Sequence, residues 1–197
     1  MQTEVIMTGI GGQGIQLCAK TLAVAATDEG RHAMLSAHYG GEMRGGQTEA
    51  SVVVGDAPLR ALPILPSTWS AFVMHPNHWA SVCERLRPGG VVVSNADIVE
   101  GPLDVPGCAL YAVPASSIAA AVSAPMGAAF VLLGAYCAVT GLVGVESLVA
   151  AMRQLVPAYR TQHLVANEAS LRAGDEAAPR LAAPAWGVSV AAHPDGR

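Results

Sequence analysis

Residues 4–15, Glu4-Val5-Ile6-Met7-Thr8-Gly9-Ile10-Gly11-Gly12-Gln13-Gly14-Ile15, decide the fold. A short apolar run enters a cluster of glycines. Beyond Gly14 the residues Ile15, Leu17, Cys18, Leu22, Ala25 and Ala26 recur at helical spacing. The order is therefore strand, tight turn, helix. Gly9 to Gly14 satisfies G-x-G-x-x-G in that setting, which is what makes the pattern informative. Glycines permit positive φ and bring backbone N–H groups to a helix N-terminus, whose partial positive charge favours a phosphate or carboxylate.

A dinucleotide site would add an acidic residue at the end of the second strand, about twenty residues on, to hold the ribose hydroxyls. Ser36-Ala37-His38 stands there instead, which argues against NAD or FAD. Two readings of the loop remain. Either its glycines serve only close packing of strand on helix, or its N–H groups meet an anion such as a coenzyme A phosphate or the backbone of a partner chain.

Working outward, His32 to Ala37 reads as a second strand. Thr48, Ala50, Val52 and Val54 alternate as a third. Trp69 to Met74 and Val91 to Val93 are apolar and strand-like, flanking a helix from Pro76 to Leu86 and the turn Arg87-Pro88-Gly89-Gly90. Leu110 to Val113 is a further strand, followed by helices over Ser116–Val122, Met126–Thr140, Val145–Leu155 and Tyr159–Ala173. This alternation predicts an α/β protein: a single Rossmann-like open sheet, mostly parallel, with helices on both faces. Residues 1–174 form the domain. Residues 175–197, rich in alanine and proline with no helical or strand period, are expected as an irregular tail.

The 197 residues suit one domain plus a tail. Hydrophobic residues make up 52% and charged residues only 13%, below the usual quarter, which points either to a face buried against a partner or to an alanine-heavy composition with no functional meaning. No apolar run reaches the roughly 18 residues needed to span a bilayer, so no membrane association is expected. Net charge is −4, and ten scattered arginines with Lys20 make no basic stripe, which excludes nucleic acid as a natural partner. The start Met1-Gln2-Thr3-Glu4 lacks the basic region of a signal peptide, so a cytoplasmic location is expected. Cys18, Cys83, Cys108 and Cys137 stand far apart, without the spacing of a zinc or iron–sulfur site, and read as reduced, mostly buried residues.

Tyr39-Gly40-Gly41-Glu42-Met43-Arg44-Gly45-Gly46 is the second unusual stretch, because no simple turn needs four glycines around an Arg and a Glu. Such a loop can lie flat on another molecule. Arg44 can fork onto a phosphate or carboxylate, with Glu42 and Tyr39 supporting it; the plainer reading is a surface loop with a weak ion pair. His75-Pro76-Asn77-His78 lacks a third ligand and reads as a helix start rather than a metal site. Ser36 and His38 lack a third group to make a nucleophile and base. Trp69, Trp79 and Trp186 read as core or interface anchors.

Gly11-Gly12-Gln13-Gly14-Ile15, the Tyr39–Gly46 loop, Leu86-Arg87-Pro88-Gly89-Gly90-Val91, Leu132-Leu133-Gly134-Ala135 with Thr140-Gly141-Leu142, and Asn167-Glu168-Ala169 before Leu171-Arg172-Ala173-Gly174 together resemble the gamma subunit of 2-oxoacid:ferredoxin oxidoreductases. That family includes pyruvate, 2-oxoglutarate, 2-oxoisovalerate, indolepyruvate and phenylglyoxylate enzymes. The matches run from about residue 4 to 174. Gly41 stands where the family commonly has proline, and Gly127-Ala128 where an asparagine is often found.

The resemblance implies a subunit that is not catalytic alone and binds no metal itself. It implies alpha, beta and delta partners carrying thiamine diphosphate, magnesium and 4Fe–4S clusters, with ferredoxin or an NAD-reducing flavin subunit as acceptor. Coenzyme A is the co-substrate. Gly9, Gly11, Gly12, Gln13, Gly14, Tyr39, Glu42, Arg44, Gly45 and Gly46 are the residues expected to border it. Two other functions stand beside this one: a stand-alone nucleotide-binding oxidoreductase, and a scaffold subunit whose loops touch no ligand.

Overall fold

The computed structural model describes residues 1–39, 46–60, 65–77, 79–101, 103–156 and 158–186. The chain runs β1 (Gln2–Ile10), α1 (Ile15–Asp28), β2 (His32–Tyr39), β3 (Gln47–Gly55), β4 (Thr68–Val73), α2 (Trp79–Cys83), β5 (Leu86–Asn95), β6 (Ala109–Val113), α3 (Ala115–Ala121), α4 (Ala128–Thr140) and α5 (Val145–Leu155). A 3-10 turn (Ala158–His163) then leads into α6 (Leu164–Ala177).

One sheet of six strands has the order β2-β3-β1-β4-β5-β6. Strands β1, β4, β5 and β6 pair in parallel, and β3 alone runs the other way, inserted antiparallel between β1 and β2. The expected open, mostly parallel α/β sheet is what forms. The place of β3 explains a local surprise. Although its sequence alternates, Thr48 to Gly55 are all buried, because β3 has a strand on either side and a layer on either face.

Helices lie on both faces, very unequally. Val5, Met7, Ala50, Val52, Val54, Phe72, Val91, Val93 and Val113 share the large core with α1, α3, α4, α5 and α6. The opposite face, with Ile6, Ala71, Val73 and Val92, is covered by Val82 of the short α2 and by Val99. Two ion pairs also belong to that face. Arg85 clasps Glu49 through two bonds of 2.9 and 2.7 Å, and Arg87 reaches Glu4 at 2.6 Å. Glu4 and Glu49 are only 8% and 9% exposed, so each carboxylate depends on its arginine to offset lost hydration.

Helix α4 is apolar on every side, and every residue from Ala129 to Thr140 is buried. It packs backbone to backbone on α6. A Cβ built on Gly174 would lie 1.8 Å from the Val131 oxygen, and one on Gly134 would lie 2.1 Å from the Leu171 oxygen. Only glycine lets the two helices approach this closely.

Several boundaries differ from expectation, most of them by one or two residues and three by more. The helix expected over Pro76–Leu86 shrinks to Trp79–Cys83, because the Arg87–Gly90 turn is absorbed into β5. Gly90 allows this, since any Cβ there would strike the Trp69 oxygen at 2.4 Å. The last helix starts at Leu164 instead of Tyr159, since the residues before it take the tighter 3-10 form. Helix α6 also continues past Gly174 to Ala177, with Asp175 bonded twice to Arg180. Residues 178–186 then run back along the end of α4, so this stretch is packed on the domain; residues 187–197 lie outside the described residues.

Candidate functional site

The glycine loop closes on itself before it meets anything else. The Gln13 N–H donates to the Ile10 oxygen at 3.2 Å, and the Ile10 N–H donates to Gln13 Oε1 at 2.9 Å. This reciprocal clip lays the carboxamide over Gly9, where a Cβ would fall 2.6 Å from Gln13 Oε1 and 2.9 Å from Ile15 Cδ1. Gly12 and Gly14 take φ of +97° and +83°, the left-handed region that side chains disfavour. Helix α1 then begins, with the Cys18 N–H donating to the Gly14 oxygen at 3.0 Å.

The second loop joins the first at its far end. The Gly11 N–H donates to the oxygen of buried Gly46 at 2.9 Å, just where Ile10 pairs with Gln47 in the sheet. Gln16 Nε2 reaches the Glu49 oxygen at 3.4 Å from α1. The two stretches thus form one edge at the C-terminal end of β1. In open α/β sheets ligands gather at that end.

Gly11 and Gln13 were both expected to offer N–H groups outward, and both are used internally. The exposed N–H groups of Gly12 and Gly14 have no acceptor among the described residues. Two buried side-chain oxygens beside the loop, Thr8 Oγ1 and Gln16 Oε1, also lack partners. The described part of this edge presents donors and can hold an acceptor, such as a phosphate oxygen, a carboxylate or a carbonyl. It sets no nucleophile beside a base.

Tyr39 ends β2, and its side chain lies outside the described residues, as do Glu42, Arg44 and Gly45. His75 Nδ1 accepts the Asn77 N–H at 3.2 Å, a turn contact, and His78 lies outside the described residues. Ser36 pairs with Ser51 in the sheet register. Trp69 and Trp79 pack against the two cores, and Trp186 stacks under Arg31 at 3.8 Å.

Cys18 and Cys137 are buried, and burial pushes both thiols far above their ordinary range, which keeps them protonated and inert. Cys83 and Cys108 donate to the oxygens of Asp104 and Arg87, each at 3.3 Å. Among the described residues no three His, Cys, Asp or Glu side chains gather as metal ligands. No helix among them is long and apolar enough to cross a membrane.

Sequence reasoning missed the Glu4–Arg87 and Glu49–Arg85 pairs and the buried Thr8 hydroxyl, which has no partner among the described residues. No local pattern links positions so far apart in the chain.

The chain is an open α/β domain with a donor-lined glycine edge at the C-terminal end of its first strand. Residues 4–177 match the family described as pyruvate ferredoxin/flavodoxin oxidoreductase, and the chain belongs to that family. It is 30% identical to the 2-oxoglutarate synthase subunit KorC of Methanocaldococcus jannaschii, over 80% of this chain and 85% of that one. It is 29% identical to the pyruvate synthase subunit PorC of Methanothermobacter thermautotrophicus, over 78% and 85% of the two chains. Among solved structures it resembles the gamma subunit of a keto/oxoacid ferredoxin oxidoreductase from Geobacter sulfurreducens, with a TM-score of 0.75 and 26% identity over 89% of this chain and 98% of that one. The same fold covers 31% of a longer chain of the 2-oxoglutarate:ferredoxin oxidoreductase from Magnetococcus marinus, at a TM-score of 0.80 and 18% identity over 90% of this chain.

Proposed function

We propose that this chain is the gamma subunit of a multi-subunit 2-oxoacid:acceptor oxidoreductase that converts a 2-oxoacid and coenzyme A into an acyl-CoA and carbon dioxide. The observation that carries this reading is likeness along nearly the whole chain to KorC and PorC subunits and to a solved gamma subunit. In the assembled enzyme, thiamine diphosphate supplies the decarboxylation chemistry and iron–sulfur clusters take up the electrons. In this reading both groups belong to the alpha, beta and delta partners. Electrons then pass to ferredoxin or to an NAD-reducing flavin subunit, and the whole complex works in the cytoplasm.

The part given to this chain is to border the coenzyme A path. The Gly12 and Gly14 N–H groups, at the N-terminus of α1, suit a phosphate oxygen or carbonyl. Arg44 supplies the charge, with Tyr39 and Glu42 holding its guanidinium. The clip between Ile10 and Gln13 fixes the loop beforehand, which lowers the ordering cost of binding.

Purification of the chain with its natural partners tests the class. A complex with iron, sulfide and thiamine diphosphate that forms acyl-CoA from a 2-oxoacid is expected. A self-sufficient monomer with turnover of its own would end the proposal. In the assembled complex, Arg44→Ala is expected to raise the KM for coenzyme A with kcat little changed. An unaltered KM with intact assembly would leave the loops a scaffold role only.

A further inference from the structure

Helix α4 has its two ends in different places. Its first turn faces the glycine loop: a Cβ on Gly14 would lie 3.8 Å from the Ala129 Cβ. Its last turn, about 14 Å away by helix rise, leaves carbonyls without partners inside the helix. Those carbonyls are taken by the returning chain. The N–H groups of Leu181, Ala183 and Ala185 donate to the oxygens of Ala138, Val139 and Thr140 at 2.8, 3.1 and 2.7 Å. Alternate residues of this turning segment thus cap three successive carbonyls of a buried helix.

The same segment is fastened to the base of the sheet. Thr3 of β1 donates through Oγ1 to the Ala185 oxygen at 3.2 Å. The Trp186 Nε1–H donates to the Leu142 oxygen at 3.3 Å, and the indole face carries the guanidinium of Arg31, the residue just before β2, at 3.8 Å. Meanwhile α4 cannot slide on α6, because Gly134 and Gly174 bring the two backbones into contact and a Cβ on Gly127 would meet Ser170 Oγ at 2.1 Å. The two helices move as one body. That body lies beside the glycine loop at one end, and the returning segment bolts it to the sheet at the other.

We propose that residues 178–186 are a positioning strap for the glycine loop, with Trp186 as its bolt: by fixing the α4–α6 body on the sheet base they fix where the first turn of α4 stands beside Gly14. Nothing in the sequence near the loop announces this dependence. It concerns the loop's geometry and holds whichever ligand or chain meets the loop, so it stands or falls separately from the coenzyme A reading.

Hydrogen exchange on the full chain tests it, read at the bonded amides of Ile10, Gly11 and Gln13 and, as controls, at Val5 and Val52 in the sheet. Trp186→Ala removes one hydrogen bond and one cation–π contact, and is expected to speed exchange at the three loop amides by roughly tenfold while the controls hold. Arg31→Gln should give the same pattern at smaller size. Trp186→Phe, which keeps an aromatic face under Arg31, should restore most of the protection. Faster exchange confined to residues 181–185 and the last turn of α4 would show mere fraying and overturn the proposal. Equal acceleration at loop and controls in both Trp186→Ala and Arg31→Gln would show general loss of stability, and would overturn it too.

Discussion

The hydroxyl of Tyr136, midway along α4, meets that of Ser70 on β4 at 2.8 Å, and the Ser70 hydroxyl donates to the Glu4 backbone carbonyl at 2.9 Å. Both residues are fully buried, and burial holds the phenol well above its ordinary range, so it stays neutral and serves as the donor of this chain of bonds. Tyr136→Phe leaves Ser70 its backbone acceptor and is expected to cost about 1 kcal/mol. Tyr136→Ala empties a ring-sized space and should cost about 3–5 kcal/mol, by analogy with other buried aromatics. Urea unfolding of the two variants would show the difference.

Contact between α4 and α6 reverses a familiar sign. Glycine to alanine inside a helix usually gains about 1 kcal/mol. At Gly174 the new methyl would sit 1.8 Å from a carbonyl oxygen of α4, and at Gly134 2.1 Å from one of α6. Each substitution must push the helices apart, and a loss of about 3 kcal/mol or more is expected. A melting temperature equal to or above that of the parent would contradict this.

On the other face of the sheet, Arg85→Ala leaves Glu49 almost buried without its bidentate partner. Breaking a fully buried pair costs about 3–5 kcal/mol, and the part-exposed arginine lowers the expectation to about 2 kcal/mol. Replacing both residues together by apolar ones should recover much of the loss, which a double-mutant cycle in urea would measure.

The surface between α5 and α6 should respond to acid. Arg172 bonds Glu146 and Glu168, and these contacts hold both carboxyls below their usual range, Glu168 with added help from Arg153. Folded-state values below the unfolded ones mean a contribution present above the ordinary glutamate range and lost as pH falls through the depressed values. Glu168→Gln should therefore flatten the acid side of the stability curve, while neutral-pH activity of the complex stays unchanged. Thermal melts between about pH 3 and 7 would test this.

How much of the molecule could be read from its residues follows from the range of each interaction. The β1, loop and α1 unit is legible because its determinants are neighbours: an apolar run, glycines that can take positive φ, then a helical period. Helix α5 is legible to the residue, since Gly144 and Val156 bound a strongly amphipathic stretch. Pro76 to Leu86 misled, because its helix-like opening competes with strand pairing at Leu86, which only the sheet can reward.

The sequence by itself determined that this is one α/β domain, that its first glycine cluster forms a tight turn into a helix, and that it is similar to gamma subunits along nearly its whole length. The first two rest on patterns a few positions long, and the third on motifs that match one after another along the chain. Tertiary structure alone decided that β3 lies between β1 and β2, that Gly11 spends its N–H on Gly46, that Glu4 and Glu49 find arginines across the sheet, and that Trp186 stacks on Arg31. Each of these joins groups whose meeting is set by the packing of the whole chain. A hydrogen bond or ion pair leaves no mark in sequence when its two halves are brought together only by the fold.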